Sequence, residues 1–157
     1  MPSMFLDLIS ALPIEHSRFT FIDIGTGKGL LLLLALQFPF ERIIGVEACS
    51  RLAAVARENT ASHDRIEVVC ADAAVYERSH DKRVITYTIP SVIQHSVSFW
   101  LLQKARFALG RGRYIVYYSP ACVNLLTDCG WLEKVTGTDD VFAIYRTRSL
   151  QTDIARG

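Results

Sequence analysis

The sequence predicts a doubly wound α/β domain with a mostly parallel, seven-stranded sheet that ends in an antiparallel β-hairpin. Strand-like and helix-like runs alternate along the 157 residues, which is the order of a parallel sheet with helices on both faces. The early strand-like runs are continuous in valine and isoleucine, as strands buried on both faces are. A closing hairpin distinguishes the chain from a flavodoxin-like domain and from a dinucleotide-binding dehydrogenase domain.

In the first half of the chain, apolar residues recur at helical spacing between short runs rich in β-formers. Pro13 and Pro39 end the first two helices, and Ser50 is the expected N-cap of the third. The predicted elements are a helix over Met4–Leu12, a strand over Phe19–Ile24, a helix over Lys28–Phe38, a strand over Arg42–Val46, a helix over Arg51–Ala61 and a strand over Arg65–Cys70.

In the second half, glycines end the helices and separate the strands. Gly110 and Gly112 follow a long helix, and Gly130 follows a short one. Gly137-Thr138-Asp139-Asp140 is typical of a hairpin turn, and the tail over 148–157 is expected to fray. The predicted elements are a strand over Arg83–Ile89, a helix over Ser91–Leu109, a strand over Arg113–Tyr118, a helix over Pro120–Cys129 and hairpin strands over Trp131–Thr136 and Val141–Thr147.

Composition and charge narrow the function classes. The length and the absence of a linker predict a single domain over 1–157. The net charge of +1, without a long run of either sign, gives no strong nucleic-acid signal. The leucine-rich run over 29–36 is too short to cross a bilayer and no signal peptide is visible, so we expect a cytoplasmic protein without membrane association.

Four cysteines lack the spacing of a zinc site, so we expect no metal and reduced thiols that are mostly buried. They are Cys49, Cys70, Cys122 and Cys129. The sequence carries no signal for the oligomeric state.

A ligand in a doubly wound sheet binds beyond the carboxyl ends of the strands, where the strand order reverses. The first predicted strand ends in Asp23-Ile24-Gly25-Thr26-Gly27-Lys28-Gly29. Gly25 and Gly27 permit a sharp turn and a close approach to a ligand, and Gly29 permits close packing of helix on strand. The spacing is neither a dinucleotide fingerprint nor a Walker loop. Asp23 suits a ligand with positive charge or hydroxyls; a turn without a ligand is the alternative.

Two further acidic residues follow the next strands. Glu47 lies 18 residues after Gly29, near the spacing at which an acidic residue takes both hydroxyls of a ribose, and an exposed strand-end carboxylate is the alternative. Asp72 suits an exocyclic adenine amine, with Ala71 or Ala73 as a backbone donor, and a helix N-cap is its alternative.

Three successive strand ends that carry acid-GxGxG, acid and acid, followed by a terminal hairpin, resemble the class I S-adenosylmethionine-dependent methyltransferases, whose fold is Rossmann-like. The resemblance covers roughly Phe5 to Thr147. Asp23–Gly29 followed by Phe38–Glu47 resembles a small bacterial branch whose core is similar to the non-SET histone-lysine methyltransferases and to mitochondrial lysine methyltransferases. The segment before the first strand is shorter than is usual in that branch.

The resemblance implies S-adenosylmethionine as the cofactor and methyl transfer to an acceptor that the sequence does not identify, a protein side chain or a small molecule. The implied catalytic positions, at the end of the fourth strand, are Thr88, Pro90 and Ser91. The implied cofactor-binding positions are Asp23, Gly25, Thr26, Gly27, Glu47, Ala48, Ala71, Asp72, Ala73 and Tyr87.

Two other functions stay open. Thr88-Ile89-Pro90-Ser91 lacks the asparagine of the Asn-Pro motif that this branch usually carries, so a non-catalytic S-adenosylmethionine-binding regulatory or interaction protein is the main alternative. A nucleotide-dependent oxidoreductase is the second, against which the glycine spacing and the hairpin speak. His95 and Lys28 are additional candidates for the site, and a solvated surface position is the alternative for each.

Overall fold

The computed structural model describes residues 2–73, 75–76, 83–88, 113–118, 126, 128, 130–138 and 141–148. The elements within this part of the chain are α1 (Pro2–Ser10), β1 (Thr20–Ile24), α2 (Leu30–Ala35), β2 (Arg42–Glu47), α3 (Ser50–Thr60), β3 (Ile66–Cys70), β4 (Val84–Thr88), β5 (Tyr114–Tyr118), β6 (Leu132–Thr138) and β7 (Phe142–Thr147). The predicted helix over Ser91–Leu109, most of that over Pro120–Cys129 and the tail beyond Arg148 lie outside the described residues.

The strands form one sheet in the order β3-β2-β1-β4-β5-β7-β6. The first five in that order are parallel, and β7 runs antiparallel to both β5 and β6. The chain builds outward from β1 through β2 to β3, then returns to add β4 on the other side of β1. The strand order therefore reverses between β1 and β4, and the predicted α/β class is confirmed.

Helix α2 is shorter than the predicted Lys28–Phe38. Gly27 and Gly29 have φ values of 58° and 87°, in the left-handed region that an α-helix cannot contain, so the helix begins at Leu30. After Ala35 the backbone tightens, because the N–H of Phe38 donates to the Ala35 carbonyl three residues back.

The predicted N-cap of α3 is wrong by one position. Ser50 is the first residue of the helix, and the N-cap is Cys49, whose side chain makes no capping hydrogen bond. The Cys49 N–H instead donates to the carboxylate of Glu47, at 2.9 Å. A side chain from the end of β2 thus takes part in ordering the entry to α3.

The closing hairpin turns later than predicted. Gly137 was expected in the turn, yet it pairs with Ala143 inside the ladder, and the register shifts between Lys134 and Thr136. A Cβ atom at Gly137 would lie 2.4 Å from the Phe142 carbonyl oxygen, so only glycine allows this pairing. The turn is closed instead by the Val141 N–H, which donates to the Thr138 carbonyl.

Apolar side chains cover both faces of the sheet. On one face Phe5 of α1 and Leu32 of α2 pack with Phe21 of β1. On the other face Ile22 and Ile44 pack with Leu126 and the hairpin. All five residues of β1 are consequently buried, including the acidic Asp23. No helix in the described part of the chain is long and apolar enough to cross a membrane.

The core around Phe21 gives a direct test of the fold. Its ring is fully buried, edge-on to Phe5 at a centroid distance of 5.7 Å and stacked on Phe40 at 5.4 Å. We expect Phe21→Ala to lower the free energy of unfolding by about 3–5 kcal/mol, since it opens a cavity between sheet and helices. Urea unfolding followed by circular dichroism measures this. Val75→Ala, at a side chain 74% exposed, is the control and should change it by less than about 0.5 kcal/mol. A loss below about 1 kcal/mol for Phe21→Ala would contradict the packing.

Candidate functional site

The predicted site residues of the first four strands lie at one edge of the sheet. Ile24, the last residue of β1, pairs with Val46 of β2 on one side and with Thr88 of β4 on the other. Glu47, the last residue of β2, pairs with Cys70 of β3. Neighbouring strands are about 4.8 Å apart, so the four strand ends form one continuous edge.

The glycine loop, residues 25–29, is bound by its backbone to the end of β2. The N–H groups of Gly25 and Thr26 both donate to the Val46 carbonyl, at 2.8 and 3.2 Å. Gly25 and Gly27 have φ values of 78° and 58°, and a Cβ atom at either position would meet nothing within 4 Å. Glycine is needed here for conformation, and the backbone faces open space that a ligand can approach.

Gly29 packs against helix α3 rather than allowing the predicted packing of a helix on a strand. A Cβ atom at Gly29 would lie 3.4 Å from the side chains of both Ala56 and Thr60, so the loop packs against α3. The Asn59 side-chain amide donates to the Lys28 carbonyl at 2.9 Å and holds the same contact. The Lys28 side chain is exposed, which agrees with its solvated alternative.

The Glu47 carboxylate joins two turns of the chain. Its Oε2 accepts a hydrogen bond from the Gly27 N–H and its Oε1 accepts one from the Cys49 N–H, each at 2.9 Å. The side chain is half-buried, so it is not simply an exposed strand-end carboxylate. Each carboxylate oxygen has a second acceptor site, which leaves capacity for two ligand hydroxyls.

Asp23 is a buried acid close to that carboxylate. The residue is 2% exposed, and burial raises the pKa of its carboxyl group from 3.8 to about 7. The Thr26 side chain lowers this pKa in part and the negative charge of Glu47 raises it. The Thr26 hydroxyl is itself buried, and it does not reach hydrogen-bond geometry with any described group, Asp23 included. A cationic or hydrogen-bonding ligand group would satisfy both side chains.

The residues predicted to contact adenine follow the end of β3. The Ala71 N–H donates to the Glu47 carbonyl at 3.0 Å, so of the two predicted backbone donors, Ala71 and Ala73, only Ala73 stays a candidate. The Asp72 carbonyl accepts from the N–H groups of Val75 and Tyr76, as the first residue of a helical turn does, and its side chain is exposed.

The end of β4 places two predicted residues beside β1. Tyr87 pairs with Asp23, and Thr88 pairs with Ile24. Pro90, Ser91 and His95 lie outside the described residues.

Two features of this edge were not predicted from the sequence. Cys49 and Cys70 are exposed free thiols rather than buried ones, because Cys49 follows β2 and Cys70 ends β3 at the open edge, while Cys122 and Cys129 lie outside the described residues. Gly45 contacts the glycine loop, and an isolated glycine inside a strand was the signal for such a close approach.

No group of three or more potential metal ligands occurs among the residues that the structure describes.

The buried Asp23 predicts a specific pH dependence of stability. Its pKa is about 7 in the folded protein and near 3.8 when unfolded, so the folded state binds more protons between these values. Stability contributed by neutral Asp23 is therefore lost as the pH rises through this window. We expect the unfolding free energy of the wild type, relative to Asp23→Asn, to fall by at least about 1.4 kcal/mol between about pH 5 and about pH 8. Urea unfolding of both proteins across this range measures it, and parallel curves would contradict the buried acid.

Comparison with known proteins gives a partial sequence match and structural matches over nearly the whole chain. No protein-family model matches the chain. Release factor glutamine methyltransferase of Caulobacter vibrioides is 41% identical over 59 residues, which is 37% of this chain and 20% of that protein. The match to this chain therefore covers only about a fifth of that relative's length.

Solved structures match nearly the whole chain. The 23S rRNA methyltransferase ErmE has a TM-score of 0.67 at 18% identity, over 93% of this chain and 68% of its own. The N-methyltransferase NodS from Bradyrhizobium japonicum, in complex with S-adenosylhomocysteine, has 0.66 at 14%, over 93% and 85%. The magnesium protoporphyrin IX methyltransferase from Synechocystis, with bound S-adenosylmethionine, has 0.62 at 15%, over 94% and 79%. The chain therefore has the Rossmann-like fold of the class I S-adenosylmethionine-dependent methyltransferases.

Proposed function

We propose that this protein is an S-adenosylmethionine-dependent methyltransferase whose cofactor lies along the carboxyl ends of β1, β2 and β3. The observation that carries the proposal is the Glu47 carboxylate, which accepts a hydrogen bond from the N–H of Gly27, in a loop whose glycines at 25 and 27 face open space. This arrangement sets a ribose-binding acid directly beside a backbone surface that a ligand can approach. The fold shared with cofactor-bound methyltransferases supports the same position.

The groups present fit the parts of the cofactor one by one. The buried Asp23 and the unpartnered Thr26 hydroxyl suit the ammonium end of its methionine part, because a cation would offset the negative charge that burial penalises. Glu47 suits the ribose hydroxyls, flanked by Gly27 and Ala48. Asp72 and Ala73 suit the adenine. When bound, S-adenosylmethionine supplies a methyl group on a sulfonium, which carries its own leaving group.

The same groups disfavour a dinucleotide cofactor. A diphosphate would have to approach two carboxylates, Asp23 and Glu47, at the loop where dinucleotide folds present only N–H groups to it. The antiparallel β7 also departs from the fully parallel sheet of those folds. A nucleotide-dependent oxidoreductase is therefore the weaker interpretation of this site.

For the transfer itself, the chain has to align the acceptor and exclude water. A general base is required only where the acceptor nucleophile arrives protonated. We propose that Thr88, Pro90 and Ser91 line the acceptor side, since the backbone of Thr88 lies next to Ile24 at the edge where the glycine loop begins. Turnover with any acceptor would exclude the non-catalytic alternative.

Proteins similar to this chain methylate different classes of acceptor, so the fold alone does not select one. The names of the similar proteins give a ribosomal RNA, a release-factor glutamine and a porphyrin as what those proteins act on. The lysine-methylating branch, a protein or small-molecule acceptor and the cytoplasmic location remain predictions from the sequence.

Calorimetric titration tests the cofactor directly. We expect micromolar binding of S-adenosylmethionine and S-adenosylhomocysteine, no binding of NADH, and loss of binding in Glu47→Ala, because both the ribose contact and the anchor of the loop are removed. Glu47→Gln keeps the side-chain size and should weaken binding at least about tenfold. Glu67→Gln, an exposed carboxylate on neighbouring β3, is the matched control and should bind as the wild type does. Absence of binding to a folded wild type would overturn the proposal.

Proton release on binding tests the place of the ammonium group. Asp23 with a pKa of about 7 is partly protonated near neutral pH, and a neighbouring cation would lower that pKa. We expect S-adenosylhomocysteine binding near pH 7 to release protons, read as a dependence of the calorimetric enthalpy on the ionisation enthalpy of the buffer. Asp23→Asn should bind more weakly and lose this dependence. An enthalpy independent of buffer in the wild type would place the ammonium group elsewhere.

A further inference from the structure

Gly45, in the interior of β2, has no space for a side chain. A Cβ atom there would lie 2.7 Å from Thr26 Cγ2 and 3.0 Å from Thr26 Cβ. It would also lie 2.7 Å from Leu32 Cδ1, in the core beneath α2. Real Cβ atoms essentially never come within 3.0 Å of such neighbours, so any larger residue must displace one of them.

We propose that Gly45 is a positioning residue for the cofactor, because it lets the Thr26 side chain rest directly on β2 and so sets the position of the glycine loop. The inference rests on the proposed function, since it concerns the same site. In this proposal Gly45 does not touch the cofactor itself; it acts by fixing the positions of Thr26 and Gly27 in the loop.

Three successive residues of β2, Gly45, Val46 and Glu47, each contact the glycine loop. Gly45 meets the Thr26 side chain, Val46 accepts from Gly25 and Thr26, and Glu47 accepts from Gly27. The end of β2 is thus in contact with the loop along its length. A shift at Gly45 is therefore transmitted to the groups that face the ligand.

Thr26 has less freedom to move away than Leu32. Leu32 would be met at the far end of a flexible side chain, which can change rotamer at low cost. Thr26 would be met at Cβ and Cγ2, and its backbone is bonded at both ends: its N–H to Val46 and its carbonyl to the Gly29 N–H. A Cβ atom at Gly45 consequently moves the loop, with the Thr26 hydroxyl and the Gly27 N–H.

The test compares Gly45→Ala with the double variant Gly45→Ala/Thr26→Ser. Serine removes Cγ2, one of the two closest clashes, and keeps the hydroxyl that faces the proposed ligand. Ile43→Ala is the matched control, because Ile43 lies two residues earlier on β2, on the same face and fully buried, and pairs with Phe21 in the interior of β1. Two readouts are taken: calorimetric affinity for S-adenosylhomocysteine, and amide hydrogen exchange of the peptide spanning the loop, which needs no ligand.

We expect Gly45→Ala to weaken binding about tenfold or more and to speed exchange in the loop, with both effects partly reversed by Thr26→Ser. Ile43→Ala should lower the thermal midpoint and leave affinity and loop exchange near wild-type values. Wild-type affinity and loop exchange in Gly45→Ala would overturn the inference, as would equal effects in Ile43→Ala. If the wild type binds no cofactor, the proposed function fails, and the exchange measurement still decides whether Gly45 positions the loop.

Discussion

The Glu47 carboxylate is the interaction on which the geometry of this site depends. Its two oxygens accept from Gly27 and Cys49, while the Glu47 carbonyl accepts from Ala71. One residue at the end of β2 therefore joins the loop after β1, the entry to α3 and the exit from β3. Because the two N–H groups have an acceptor, the turns can stay at an open edge without leaving backbone donors unpaired.

The position of Glu47 at the end of β2 places its carboxylate close to a second acid, Asp23, inside the sheet. The strand that carries it is buried along its whole length, and burial raises the pKa of the acid to about 7. Glu47 adds negative charge nearby, and no cationic side chain is among the causes of the shift. A buried acid thus lies close to a half-buried one. Such an arrangement costs folding free energy in the free protein, and a ligand with positive charge and hydroxyl donors, as we propose, would offset part of that cost.

The sequence predicts those parts of the structure that depend on local pattern. Continuous apolar strands, glycines at turns and the hairpin sequence identify the α/β class, and strand ends follow from where apolar runs meet polar residues. The errors arise from specific hydrogen bonds and packing contacts that residue type does not reveal, most of them between segments distant in sequence. Ser50 has the residue type of an N-cap, but the Glu47 side chain alters the entry to α3. Gly29 looks like a helix–strand contact and instead meets Ala56 and Thr60. Ala71 cannot serve as a ligand donor because its N–H belongs to the β2–β3 ladder.

The Glu47 contacts that support the proposed cofactor and the strand end proposed for the acceptor lie on opposite sides of β1. Most groups proposed for the cofactor lie at or just after the ends of β1, β2 and β3, where backbone bonds fix the loop and two carboxylates set the charge. Tyr87 of β4 pairs with Asp23. Similar structures at 15–18% identity share this fold, and their names give a ribosomal RNA and a porphyrin as what they act on, so the fold does not fix the acceptor. The strand end that we propose for the acceptor, at Thr88, lies beside β1 on the side of the switch point away from Glu47. The bonds that Glu47 makes, to Gly27, Cys49 and Ala71, lie on the opposite side of β1 from that strand end or in the loop itself, so the proposed acceptor position takes no part in holding the loop.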